Sequence, residues 1–142
     1  MLDALQAIAI TLSGCNRELC DRPRWRRRYF SSCSVDAGGI ATDDALRSLV
    51  ISHHLLGTQE AFVIGHTDCG MLTFSNEDLR RLLGERQGVE ASHIDFQPFP
   101  DVAARVQASV RRLRESGLLP ETYGLHGFVY DVASGRLQPA GG

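Results

Sequence analysis

The chain has 142 residues, 43% of them hydrophobic, enough for one core and too few for two ordinary domains, so a single domain over residues 1–142 is expected. A formal net charge of -2 points to neither nucleic acid nor an anionic membrane as a partner. No apolar run approaches the roughly 20 residues that cross a bilayer, no export signal opens the chain, and four unevenly spaced cysteines do not make a secreted disulfide framework. A soluble protein of the reducing cytoplasm is expected.

Leu5 to Leu12 contains Ala7-Ile8-Ala9-Ile10, a short apolar run without a polar face, which suits a strand buried on both sides in a parallel sheet. Thr42-Asp43-Asp44 opens a helix in which Leu46, Leu49, Val50, Leu55 and Leu56 recur at helical spacing, with acids in the first turn and Gly57 at the end. Glu60 to Ile64 reads as a second buried strand, and strand, helix, strand implies a right-handed parallel crossover. Ser75 to Leu83 reads as a helix capped by Ser75, with Asp78 three residues on. Gly88 to Pro100 is a loop. Asp101 to Ser116 then places Val102, Val106, Val110 and Leu113 at three- and four-residue steps, closed by Gly117, with basic residues on the outer face. Leu125 to Val132 is a last strand, and Ala133-Ser134-Gly135 turns the chain into an edge hairpin through Arg136-Leu137-Gln138.

The stretch 13–36 breaks this order. It holds Cys15, Cys20 and Cys33, the sole tryptophan, and five arginines between Arg22 and Arg28, with no helical or alternating pattern.

His66 and Cys69, in Gly65-His66-Thr67-Asp68-Cys69-Gly70-Met71, carry the chemistry. An imidazole and a thiolate three positions apart, after an apolar strand, can share one borderline-soft ion, and zinc prefers these donors while a catalytic zinc keeps one position open to water. The pair is expected at the carboxyl end of its strand, where open α/β sheets hold their ligands.

From Asp36 onward the chain resembles the β-class carbonic anhydrases. The matching text is Ala37-Gly38-Gly39, Thr42-Asp43-Asp44-Ala45-Leu46-Arg47-Ser48-Leu49, Ile51-Ser52-His53-His54-Leu55-Leu56-Gly57-Thr58, His66 through Phe74, and the Gly127 to Val132 strand; Ile8-Ala9-Ile10 is similar to the family's first strand. The resemblance implies an α/β fold with a mainly parallel central sheet flanked by helices, a Zn2+ cofactor, carbon dioxide and bicarbonate as substrates, and a homodimer. Family members usually begin with a helical arm around the partner subunit, whereas this chain starts almost directly with its first strand, which would weaken the dimer.

In the family the first strand runs into C-x-D-x-R, whose cysteine is the third zinc ligand and whose acid and arginine position the attacking species. A gapless register puts Ser13, Cys15 and Arg17 there, and Val35-Asp36 replaces the arginine and asparagine ahead of the glycines. Three readings stand. Cys15 can replace the ligand from the acid's position, or a two-residue slip can bring it to the cysteine's position; otherwise only His66 and Cys69 remain and zinc binds weakly. An out-of-frame translation of an ordinary family segment would also give such a stretch, which the other two frames of the coding DNA would reveal.

The metal set is thus Cys15, His66 and Cys69, with Arg17 as the catalytic candidate, left without its acid and expected to bind an anion such as bicarbonate. Zinc lowers the pKa of water from about 16 to near 7, so hydroxide is available to attack carbon dioxide at neutral pH. Without the orienting acid, hydration is expected to be slow. The alternatives are a non-catalytic zinc-binding or partner subunit, or a relative that hydrolyses carbonyl sulfide or carbon disulfide. His53 and His54 read as surface or interface positions, His93 and His126 lack ligand-spaced partners, and Cys20 and Cys33 read as incidental thiols. Asp68 is expected to accept a hydrogen bond from a loop amide, and Gly38 and Gly39 to permit a tight turn and close backbone approach.

Overall fold

The computed structural model describes residues 7–12 and 32–141, and within them five strands form one sheet in the order β2-β1-β3-β4-β5. They are β1 (Ala7–Leu12), β2 (Ser32–Asp36), β3 (Glu60–His66), β4 (Gly124–Asp131) and β5 (Arg136–Pro139). β1 pairs in parallel with both β2 and β3, β3 pairs in parallel with β4, and only β5 runs antiparallel, as the expected edge hairpin. The mainly parallel α/β architecture read from the sequence is the one observed. Cys15, Arg17, Cys20 and the arginine run lie outside the described residues.

Three helices complete the described chain: α1 (Asp43–Leu56), α2 (Asn76–Gln87) and α3 (Val102–Glu115). Thr42 begins α1 because its hydroxyl accepts the Ala45 amide at 3.2 Å, and Gly57 ends it at φ 74, a conformation glycine adopts without steric cost. Removing that cap with Thr42→Ala should lower stability by about 1 kcal/mol in urea denaturation; an unchanged midpoint would mean that water replaces the hydroxyl. Ser75 and Asp78 form a reciprocal capping box at α2.

Three differences from expectation are informative. β3 continues two residues past Ile64, because Gly65 and His66 still pair with Val129 and Tyr130 of β4. α2 runs past Leu83 to Gln87, with Gly84 inside it, and stops where Gly88 takes φ 67 and donates to the Gly84 carbonyl. The last five residues of the unpatterned stretch form β2; Ser-Cys-Ser-Val-Asp has no apolar alternation, and its place at the sheet edge comes from pairing with β1.

Among the described residues, the core lies on one face of the sheet. Along β3 burial alternates, so Ala61 and Val63 pack with Ala45 and Leu49 of α1 and with Val106 and Leu113 of α3. Glu60, Phe62, Ile64 and His66 belong to the other face. Gly65 and Gly127 bring α3 against the sheet: a Cβ at Gly65 would lie 2.5 Å from Val102 Cγ1, and one at Gly127 would lie 2.9 Å from Val106 Cγ1. No helix among the described residues is long and apolar enough to cross a membrane.

Candidate metal centre

β3 delivers His66 as its last residue, and the three-residue step to Cys69 is made by a loop tied to the neighbouring strand. Thr67 makes that tie twice: its amide donates to the Tyr130 carbonyl at 2.9 Å, and its hydroxyl accepts the Val132 amide at 3.0 Å. Asp68 then takes φ 57, the left-handed region that aspartate tolerates better than most residues, and the chain turns back at once. Cys69 precedes the short 3-10 turn Gly70–Leu72, accepting the Leu72 amide on its carbonyl at 3.0 Å. The expectation of a hydrogen bond to the Asp68 side chain is not met among the described residues: the side chain is exposed, and its contribution is the backbone turn.

The donor chemistry fits a borderline-soft ion. The Nδ1 of His66 lies 2.8 Å from the Thr67 carbonyl, to which it can only donate, so in the neutral ring the lone pair falls on Nε2, the tautomer a metal ligand needs. Cys69 is a free thiol, 3% exposed, so its sulfur is held by packing. Among the described residues no third His, Cys, Asp or Glu joins them in a metal-sized group. The two remaining site candidates, Cys15 and Arg17, lie outside the described residues.

A wall beside the loop forms where the glycine turn meets Met71 and Phe99, whose role there the sequence does not display. The 3-10 turn Ala37–Gly39 carries two positive-φ glycines, Gly38 at 75 and Gly39 at 66, which bears out a tight turn. Close approach is met as well, since a Cβ at Gly38 would lie 2.7 Å from Phe99 Cε1 and 3.1 Å from Met71 Cγ. Phe99 is buried, and its amide donates to the Met71 carbonyl at 3.4 Å, so the loop before α3 closes over the turn that follows Cys69. Ser109 of α3, also buried, accepts the Ala41 amide at 3.2 Å and donates to the Gly39 carbonyl at 3.0 Å. A serine inside the stripe of Val106, Val110 and Leu113 was the available signal, because a polar residue on a buried helix face must find a partner.

The other histidines are elsewhere. His53 donates from Nδ1 to the Thr58 carbonyl at 2.7 Å and meets the Tyr123 ring edge-on, at the end of α1 where the chain enters β3. His126 stacks on Phe62 and lies 3.4 Å from the Glu60 carboxylate, at the amino end of the same strand. β3 spans seven residues from Glu60 to His66, so that end lies roughly 20 Å along the strand from His66. Burial holds the Tyr123 phenol above its usual titration range.

No protein-family model matches the chain. It is 41% identical over 102 residues to Beta-carbonic anhydrase 1 of Mycobacterium tuberculosis, an alignment covering 72% of this chain and 62% of that protein. It is 26% identical over 122 residues to a carbon disulfide hydrolase of Acidithiobacillus thiooxidans, covering 73% of this chain and 61% of the relative. The chain therefore spans about three fifths of the curated relatives it matches. Among solved structures, a carbonic anhydrase from Streptococcus mutans superposes with a TM-score of 0.86 at 33% identity, over 99% of this chain and 86% of that one.

Proposed function

The chain belongs to the β-carbonic anhydrase family, and from that premise we propose a zinc-dependent protein of carbon dioxide and bicarbonate chemistry whose ion is held by His66, Cys69 and Cys15. The observation that carries the reading is the locked loop at the carboxyl end of β3, where a nitrogen with its lone pair on Nε2 and a buried sulfur are presented three residues apart. Bound there, zinc would supply Lewis acidity and make hydroxide available at neutral pH. His66 and Cys69 would hold and orient the ion, and Gly38, Met71 and Phe99 pack together behind the turn that follows Cys69. Arg17 is proposed to bind the bicarbonate anion. The reading also takes the chain as one domain, working as a cytoplasmic homodimer.

The rate is proposed to be low. With Ser13 and Cys15 at the family's cysteine and acid positions, the hydrogen bond that orients the attacking oxygen is missing. Loss of one preorganised partner costs roughly 100- to 1000-fold in turnover, so metal-loaded protein should hydrate carbon dioxide at least that much more slowly than a family member with the whole motif. The test pairs zinc stoichiometry of wild type and Cys15→Ser with stopped-flow hydration. Equal zinc in both would remove Cys15 from the ligand set, and full family-like turnover would remove the impairment.

The same departure at Ser13 and Cys15 favours a second reading, a non-catalytic zinc-binding or partner subunit. Zinc at one equivalent with no hydration would select it. The likeness to a carbon disulfide hydrolase supports a third, in which carbon disulfide or carbonyl sulfide is the substrate, and sulfide release from either would select that one.

A further inference from the structure

We infer that Ser109 is a positioning residue for the metal loop: from α3 it pins the turn at Gly39 and Ala41, and through Gly38, Phe99 and Met71 it holds the backbone that presents Cys69. The inference rests on the reading of Cys69 as a metal ligand and adds a residue that neither motif nor spacing assigns.

The chain of contacts is continuous. Ser109 is 4% exposed, and its hydroxyl bridges an amide and a carbonyl two residues apart, Ala41 N at 3.2 Å and Gly39 O at 3.0 Å. These groups flank the point where the backbone leaves the positive-φ glycines and heads for the Thr42 cap. A buried amide and carbonyl without partners are costly, so the hydroxyl selects the one arrangement of the turn that satisfies both. In that arrangement Gly38 has no space for a Cβ, with Phe99 Cε1 and Met71 Cγ within 3.1 Å of where it would lie. Met71 is two residues beyond Cys69 in the 3-10 turn, and its carbonyl takes the Phe99 amide. The glycine turn is therefore the back wall against which the Cys69 turn is seated, and one helix side chain fixes the wall. Thr67 fixes the opposite end of the same loop to β4. With both ends tied, the sulfur's place is set before any ion arrives, which a metal site needs if affinity is not to be spent on ordering.

The role predicts a readout that plain destabilisation would not give. In metal-free, full-length protein, well below its melting temperature, the iodoacetamide alkylation rate at Cys69, resolved from the other cysteines by peptide mass mapping, reports how often the loop opens. Ser109→Ala should raise that rate about tenfold, since its loss frees the wall locally rather than the whole fold. Val110→Ala, on the same helix but packed toward Gly127, is the control and should stay within about twofold of wild type for a similar fall in Tm. Ser109→Thr keeps the hydroxyl and should return the rate toward wild type. Equal rates for Ser109→Ala and Val110→Ala would overturn the assignment. Should Ser109→Ala fail to fold, Gly38→Ala decides: it disturbs the turn without touching α3, and a wild-type rate there would be equally fatal. Failure of the metal reading shows differently, as wild type that takes up no zinc, whatever the alkylation rates.

Discussion

Cys69→Ser should leave a folded protein that no longer retains zinc. The substitution exchanges a buried thiol for a hydroxyl of similar size, so the fold keeps its packing, while the ion loses the sulfur of the pair. Losing an outer-shell partner of a ligand typically costs 10- to 100-fold in metal affinity, and losing a ligand should cost more than about 100-fold. Competition against a chromophoric chelator measures this directly. His66→Ala is expected to match it, whereas His126→Ala, at the amino end of the sheet against Glu60, should leave zinc content unchanged. That contrast separates a built centre from loose capture by surface imidazoles. Because each donor must be deprotonated to bind, zinc should be released as pH falls, with protons taking its place on the ligands. Zinc retained at full stoichiometry in Cys69→Ser would defeat the assignment of this loop as the centre.

The parts of the fold that the sequence displayed are those where a local rule has no competitor. Thr42 and Gly57 bracket α1 because a hydroxyl before an acidic first turn and a glycine after an apolar stripe each satisfy orphan backbone groups in one way. Ser75 with Asp78 did the same for the start of α2, but its end was hidden, because Gly84 reads as a stop and is in fact an interior residue held by the bond from Gly88. β2 was invisible for a different reason: Ser-Cys-Ser-Val-Asp carries no periodic signal, and its conformation is decided by a partner strand more than twenty positions earlier in the chain. At the site, the spacing of His66 and Cys69 was legible because ligand chemistry needs particular residue types. The wall was not, since Phe99 and Met71 are ordinary apolar residues whose meeting with Gly38 depends on tertiary approach. Ser109 lay between these cases, visible as a polar interruption of a buried stripe but silent about which amide it would hold.

The close approach of α3 also gives the largest expected effect on stability. Gly65→Ala should destabilise the protein by about 1–3 kcal/mol, the usual cost of forcing a group into a filled core. The added Cβ would lie 2.5 Å from Val102 Cγ1 and 2.8 Å from Val106 Cγ2, distances real Cβ atoms do not keep, so either the strand or the helix must shift. Movement of the strand is resisted, since β3 is paired with β4 along its whole length, Gly65 included, and with β1 as far as Ile64. The helix is the more movable partner, yet it carries Val106 and Ser109 on the face it would withdraw. Withdrawal would therefore loosen the glycine turn as well as the core, and Gly65→Ala should speed Cys69 alkylation as Ser109→Ala does. Trimming the obstacle should repair part of the damage: Gly65→Ala combined with Val106→Ala is expected to be less destabilised than the sum of the two single changes, by roughly 0.5–3 kcal/mol of coupling in a double-mutant cycle. Simple additivity would mean that the helix and strand separate freely at this point, and the strand's glycine would then have no packing reason to be one.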